Sequence, residues 1–376
     1  MAERGKRTRV CIVMGGHWAA QAGGAQYQAK CLADMLKARE DLEIFYLAHR
    51  VPRERTQDGY EIVHFGPGQG VGAAHVLASL PALYLALTRL RPDVVYQRSL
   101  MPYTGVCALY CKRHGARFVF HVASDGDVRK PPPTGSLIRR LSRRIAEYGL
   151  HRADILVAQT QDQARLLRSE YGLEATAVVP NFHPAPEREV SARVRDRRRV
   201  IWVANFKPVK NPELFVELAE QFAGRTDVEF VMIGRGREEP RYRKLFERIA
   251  RLPNLRYLGE LPLEQVNREI AASDILVNTS STEGFPNTFI QAWLRGVPVV
   301  SCWVDPDGCL SGGSAGVLAG ERSRLPAVIS DLLDDEVKLR RLSEAARAYG
   351  HANHHQEKAL PLVDLVAGGT YARIGR

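Results

Sequence analysis

The sequence contains no CxxC pair, although it holds six cysteines in 376 residues. That excludes the usual thiolate metal knuckles, and Cys107 and Cys111, one helical turn apart, suit core packing better than a metal. A reducing, cytoplasmic compartment is therefore expected. No apolar run approaches the ~20 residues that a membrane-spanning helix requires. The longest candidate, residues 76–90, carries Pro81 and closes on Arg89, and reads as a buried helix. The apolar stretch 10–14 stops at Gly15 and Gly16, too short for a secretory leader, and reads as a first strand. The dinucleotide fingerprint GxGxxG is also missing. Gly15 and Gly16 are followed by His17 and Trp18, and the partial match at Gly234 and Gly236 has Glu239 where a third glycine is needed. A nicotinamide or flavin oxidoreductase fails on that absence.

What is present fits a packed α/β protein. Hydrophobic residues make up 45% and charged residues 25%, close to ordinary globular usage, and the length suits two domains. The net charge of +11 is concentrated in residues 137–152 and 187–199. In the first stretch Leu137, Ile138, Leu141, Ile145 and Tyr148 share one helical face, with Arg139, Arg140, Arg143 and Arg144 elsewhere. The pattern reads first as a core helix with a solvated basic rim, and second as a face for an anionic membrane. Nucleic acid is not expected as a partner, because the basic stretches lack interleaved aromatics.

Apolar runs alternate with helical patterns along the chain, the mark of parallel sheets covered by helices on both faces. Five strands are expected in the first half (RVCIVMG, LEIFYLA, DVVYQRS, RFVFHVA, ILVAQT) and five in the second (RVIWVAN, VEFVMIG, LRYLG, ILVNTS, VPVVSC). The fold class is thus α/β, with two doubly wound Rossmann-like domains facing a cleft. The expected boundaries are 1–185 for the first domain, 186–199 for a proline-rich charged linker and 200–345 for the second domain. The tail 346–376 is expected to pack back on the first domain. Its His351, His354 and His355 have no carboxylate or cysteine at ligand spacing and read as a polar surface turn.

In such sheets ligands bind beyond the carboxyl ends of the strands, so the loops there carry the functional reading. Gly23 and Gly24 stand before a helix, where backbone N–H groups can meet an anion. His121 ends a strand and is followed by Ser124, Asp125 and Asp127; a histidine there can bond a substrate hydroxyl or take part in proton transfer, or be structural. Lys207 and Lys210 precede a helix that starts at Asn211 and Pro212, a strong anion site for which diphosphate is the obvious ligand. In TSSTEGFPNTFIQAWLRGVPVV, Glu283 lies in a loop, Asn287 and Thr288 suit a helix start, and Gln291 lies about one turn further on.

The pattern from Glu283 through Gly284, Phe285, Pro286 and Asn287 to Gln291, then Gly296 and Pro298, resembles the signature of family-four retaining glycosyltransferases of GT-B fold. Gly23-Gly24, His121, VVPN at 178–181 and Lys210 in KPVKNPE match in the same order, so the resemblance runs along nearly the whole chain. It implies that the acid matching Glu283 contacts donor-sugar hydroxyls, that Lys210 binds the diphosphate and that His121 sits beside the reacting sugar. Gly284, Phe285, Pro286, Asn287 and Thr288 join the donor site, and Asp125 is assigned to the acceptor. Two positions depart from the pattern. Gln291 replaces the acid that holds the nucleotide ribose, and Asn205 stands where relatives carry an arginine, a charge that Lys207 can replace.

The implied activity is transfer of a glycosyl group from a nucleotide diphosphate sugar to an acceptor hydroxyl with retained anomeric configuration, without a bound metal or other cofactor. The acceptor is expected to be a cell-envelope polysaccharide, lipopolysaccharide or glycolipid precursor, handled in the cytoplasm with possible peripheral contact to the inner face of an anionic membrane. The rival from another class is a scaffold or nucleotide-sugar-binding protein that has lost catalysis, suggested by Gln291 and Asn205. A nucleotide-sugar epimerase of the same fold is a further enzymatic rival.

Overall fold

The computed structural model describes residues 7–21, 23–52, 58–66, 72–130, 136–186, 197–236 and 239–368. The chain divides into two compact units: residues 1–182 with 357–376, and residues 183–356. Most of the charged linker, residues 187–196, lies outside the described residues, as does the end of the tail from 369.

The first unit holds seven strands: β1 (Thr8–Gly16), β2 (Leu42–Arg50), β3 (Glu61–His64), β4 (Val94–Arg98), β5 (Arg117–His121), β6 (Ile155–Ala158) and β7 (Ala177–Val178). All pair in parallel, in the order β3-β2-β1-β4-β5-β6-β7. Sheets buried on both faces need continuous apolar runs rather than alternation, and the centre of β1, from Val10 to Val13, is wholly buried. Cys107 and Cys111 lie in the core beside it, and all six cysteines are free and buried.

The second unit repeats the design with β8 (Arg198–Val203), β9 (Val228–Ile233), β10 (Leu255–Tyr257), β11 (Ile275–Asn278), β12 (Val299–Ser301) and β13 (Gly316–Leu318). The order is β10-β9-β8-β11-β12-β13, again parallel. In each sheet the order reverses beside the first strand, between β1 and β4 and between β8 and β11. Diverging loops at such a reversal leave a crevice, which fixes where a ligand can enter.

Several expectations change. The 76–90 segment is two helices, Ala73–Ala78 and Leu80–Leu90, meeting at Ser79; only one face is buried, through Leu83 and Leu87, and Leu85 is exposed. The Leu137–Leu150 helix is not a core helix with its leucines inward. Leu137 is 79% exposed, and Ile138, Leu141 and Tyr148 are exposed too. The helix packs instead through Ala146, Gly149 and Leu150. A Cβ at Gly149 would stand 2.3 Å from the Thr104 backbone, and one at Gly105 2.4 Å from the Ile145 carbonyl. Backbone contact with the Pro102–His114 helix therefore buries the side carrying Ala146, Gly149 and Leu150 and leaves Leu137, Ile138 and Leu141 outside.

The helix Glu336–His354 runs past Gly350, and His354 is buried against Phe285, Trp293 and Tyr349 rather than on a surface turn. The helix Leu360–Val366 belongs to the first unit, where it packs on the helix Gly24–Leu36 and on β4. Among the described residues no helix is long and apolar enough to cross a membrane.

Candidate functional site

In the second unit the sequence-predicted residues meet at the reversal between β8 and β11. The turn after β8 is stitched to the loop after β11 by a chain of hydrogen bonds. Trp202 Nε1 donates to Thr279 Oγ1 (2.9 Å), Thr279 Oγ1 donates to the Lys210 carbonyl (2.7 Å) and Asn211 Nδ2 donates to the Thr279 carbonyl (3.1 Å). The Ser281 amide closes the set by donating to the Val209 carbonyl at 2.9 Å. This stitching carries the Lys210 ammonium onto Glu283 Oε1, which also accepts from Ser280 Oγ at 2.8 Å. The two side chains are 23% and 17% exposed, so the pair is partly desolvated yet open to a polar ligand. Lys207 lies beside Lys210 at the start of the same short turn, and its side chain is exposed.

The other predicted donor residues divide. The helix Asn287–Trp293 does begin at Asn287, but Pro286 is its cap and supplies no side-chain oxygen. Gly284 and Thr288 are half-buried beside the Lys210–Glu283 pair in sequence, and Pro286 is buried. Phe285 turns its ring into the core against Trp293 and His354, so only its backbone is available to a ligand. Gln291 is 5% exposed and donates from Nε2 to Asn267 Oδ1 at 2.8 Å. Asn205 accepts from the Arg235 amide at 3.0 Å and so links the loops after β8 and β9. A Cβ at Gly234 would collide with the Ala204 carbonyl at 1.7 Å, so that glycine serves the same close approach rather than a dinucleotide.

In the first unit, Gly23 is extended, and a Cβ there would meet only the flexible Gln26 amide. Packing of the fold does not demand glycine at this position. His121, at the end of β5, is fully buried. Arg98 Nη1 donates to its Nδ1 at 3.2 Å, and Tyr96 Oη lies 2.9 Å from the same nitrogen. Guanidinium has no acceptor, so Nδ1 must accept and the ring proton resides on Nε2. Burial and then the Arg98 charge push the His121 pKa well below its usual value, partly countered by the Val179 carbonyl. The ring is therefore neutral, and its chemistry is that of a hydrogen-bond donor. Asn181, from the VVPN stretch, accepts from Arg98 Nη2.

Asp125 accepts from Gln163 Nε2 at 3.1 Å. The chain carries two Asp-x-Asp spacings, Asp125/Asp127 and Asp305/Asp307. Asp127 is taken up by the Leu100, Ala123 and Ser124 amides, and Asp305 by the Leu310 and Ser311 amides. Both act as loop braces. Among the described residues no three His, Cys, Asp or Glu side chains gather as a metal site. Sequence reasoning missed Thr279, Asn267 and the buried Arg98. Only Arg98 left a signal: a charge closing the strand VVYQR.

Two parallel sheets, each with polar loops gathered at its strand-order reversal, place the chain in the class of two-domain Rossmann-like proteins. Solved structures share that fold at low identity. HepE from Anabaena, crystallised with UDP and glucose, aligns with a TM-score of 0.75 at 18% identity, over 96% of this chain and 100% of that one. Sucrose-phosphate synthase from Thermosynechococcus elongatus gives 0.76 at 15% identity, over 96% and 98% of the two chains. WaaG, a glycosyltransferase of lipopolysaccharide biosynthesis, gives 0.73 at 16% identity, over 96% and 100%.

The chain belongs to the glycosyl transferases: residues 23–182 match the glycosyl transferase 4-like domain and residues 197–335 match the glycosyl transferases group 1. A GDP-mannose-dependent monoacylated alpha-(1-6)-phosphatidylinositol monomannoside mannosyltransferase of Corynebacterium glutamicum is 25% identical over 222 residues, 53% of this chain and 58% of that protein. A D-inositol 3-phosphate glycosyltransferase of Geodermatophilus obscurus is 30% identical over 173 residues, 40% and 38% of the two chains. The matches thus span less than two thirds of these relatives.

Proposed function

We propose that the protein is a retaining glycosyltransferase that moves a sugar from a nucleotide diphosphate sugar to an acceptor hydroxyl in cell-envelope glycan or glycolipid synthesis. The observation that supports this most is the Lys210–Glu283 pair, held by the Thr279 stitching at the strand-order reversal of the second sheet. An ammonium beside a carboxylate offers one group to a diphosphate and one to sugar hydroxyls, which is what a nucleotide sugar presents. As diphosphate departs, negative charge grows on its oxygens, and Lys210 with Lys207 would stabilise it without a bound metal. Glu283 accepts from the donor sugar's hydroxyls. The acceptor oxygen would attack on the face from which the diphosphate leaves, forming the new bond to the anomeric carbon as the old one breaks, and its proton would pass to the leaving phosphate.

The place of work in this reading is the cytoplasm at the inner membrane face. The aliphatic residues of the Leu137–Leu150 helix, exposed beside Arg139, Arg140 and Arg144, support contact with an anionic surface.

Calorimetry with UDP-, GDP- and ADP-sugars, combined with assay of released nucleotide diphosphate, tests the activity. Wild type is expected to bind one donor and release its diphosphate with an acceptor extract, and Glu283→Ala to lose about 100-fold or more in turnover, the size of a lost transition-state contact. Binding without release would move the protein to the non-catalytic sugar-nucleotide binders. Full turnover by Glu283→Ala would remove that residue from the site.

A further inference from the structure

At the carboxyl ends of β1, β2 and β4 the first unit encloses a cavity of about 470 Å³. Much of its wall is apolar, with Met14, Val76, Leu100 and Met101 on it, and among the described residues no aspartate or glutamate lines it. Among the described residues its arginines are Arg50 and Arg98.

Arg98 is only 2% exposed, and its hydrogen-bond partners, Tyr96, His121 and Asn181, are all neutral. Its Nε has no hydrogen-bond partner among the described residues. Asp127 feels its charge but is committed to three backbone amides. Among the described residues Arg50 donates to the Gln21 amide oxygen at 3.4 Å. Removing a cation from water without a counter-ion is costly, and the cost is recovered when a ligand brings the anion.

We propose that this cavity binds the phosphoryl group of an amphiphilic acceptor, a reading that rests on the glycosyltransferase assignment only for the word acceptor. Guanidinium groups match phosphoryl oxygens in bidentate geometry, and the methionine and leucine side chains suit an aliphatic portion. A second observation points to an amphiphile. Ser142 on the cavity wall belongs to the helix Leu137–Leu150, whose neighbouring Leu137, Ile138 and Leu141 are exposed. One helix thus carries both a cavity-wall residue and the exposed apolar, basic face. Phosphoryl chemistry is shared by a lipid phosphate and a water-soluble phosphate ester, and the two sources differ in what fills the apolar wall.

The test is calorimetry on the full chain with three probes: short-chain phosphatidic acid below its micellar concentration, glycerol 3-phosphate, and the matching neutral diacylglycerol. Wild type is expected to bind phosphatidic acid and not the neutral lipid, and Arg50→Gln to bind it at least about tenfold more weakly. Arg50 sits at the end of β2 and is partly exposed, so its removal spares the buried network, and an unchanged melting temperature would show this; Arg98→Gln is the second variant. Tighter binding of the lipid assigns a lipid phosphate, and equal binding of glycerol 3-phosphate with the same Arg50 dependence assigns a soluble ester; both uphold the phosphoryl site. Equal binding of the neutral lipid, or phosphatidic acid binding indifferent to both arginines, overturns it. Nucleotide-sugar affinity measured on the same protein is independent: phosphoryl binding without any donor binding would sink the glycosyltransferase reading and leave the anion site standing.

Discussion

Lys210 and Glu283 are separated by 73 positions, and what joins them is a hydroxyl, Thr279, that accepts from an indole and donates to the Lys210 carbonyl. Each of the two residues was legible in the sequence, because both occupy loops after strands, but their pairing was not. Nor was the stitching, since a threonine in a polar loop has no pattern of its own. Lys207 extends the positive charge at a position where Asn205, tied to the Arg235 amide, supplies none. Lys207→Ala is therefore expected to weaken nucleotide-sugar binding about three- to tenfold, the size of one partly exposed charge-assisted contact. Calorimetry against wild type would show it, and unchanged affinity would mean that Lys210 alone meets the diphosphate.

At the scale of elements, the ten strands anticipated from apolar runs are all present. The three that were missed, β3, β7 and β13, are all edge strands of two to four residues. An edge strand has one pairing partner and little buried surface, so it needs no long apolar run and leaves no strong pattern. The Leu137–Leu150 helix fails for a different reason. Periodicity identified its apolar face correctly, but Gly149 and Gly105 bring two backbones into contact and make the side carrying Ala146, Gly149 and Leu150 the buried one. A pattern of large side chains does not show where glycine permits closer packing. Serine replacing both Leu137 and Leu141 is then expected to change unfolding free energy by about 0.5 kcal/mol or less, because both are exposed. The same variant should sediment less with anionic vesicles at low salt than wild type. A large loss of stability would place those leucines in the core, and undiminished vesicle binding would remove the helix as the membrane contact.

For the whole molecule, each unit buries a histidine without its charge: His121 in the first and His183 in the second. Burial, then the nearby Arg295, pushes the His183 pKa from 6.5 down to about 3, and burial with Arg98 pushes His121 well down. In the unfolded chain both rings take up a proton as pH falls through about 6.5, whereas the folded units exclude it. The unfolded state thus binds more protons, so stability is full above that pH and declines below it, by up to ~1.4 kcal/mol per pH unit for each histidine. For His183 the decline continues until pH approaches its folded value of about 3. The units can be followed separately, because Trp202, Trp293 and Trp303 lie in the second and Trp18 in the first. Urea unfolding followed by tryptophan emission between pH 7 and 5 therefore reports chiefly the second unit. His183→Gln keeps a polar side chain and removes the titration, so the acid-side slope of that transition should fall by up to one proton. An unchanged slope would mean that His183 takes up its proton in the folded unit as readily as in the unfolded chain, and that acid lability arises elsewhere.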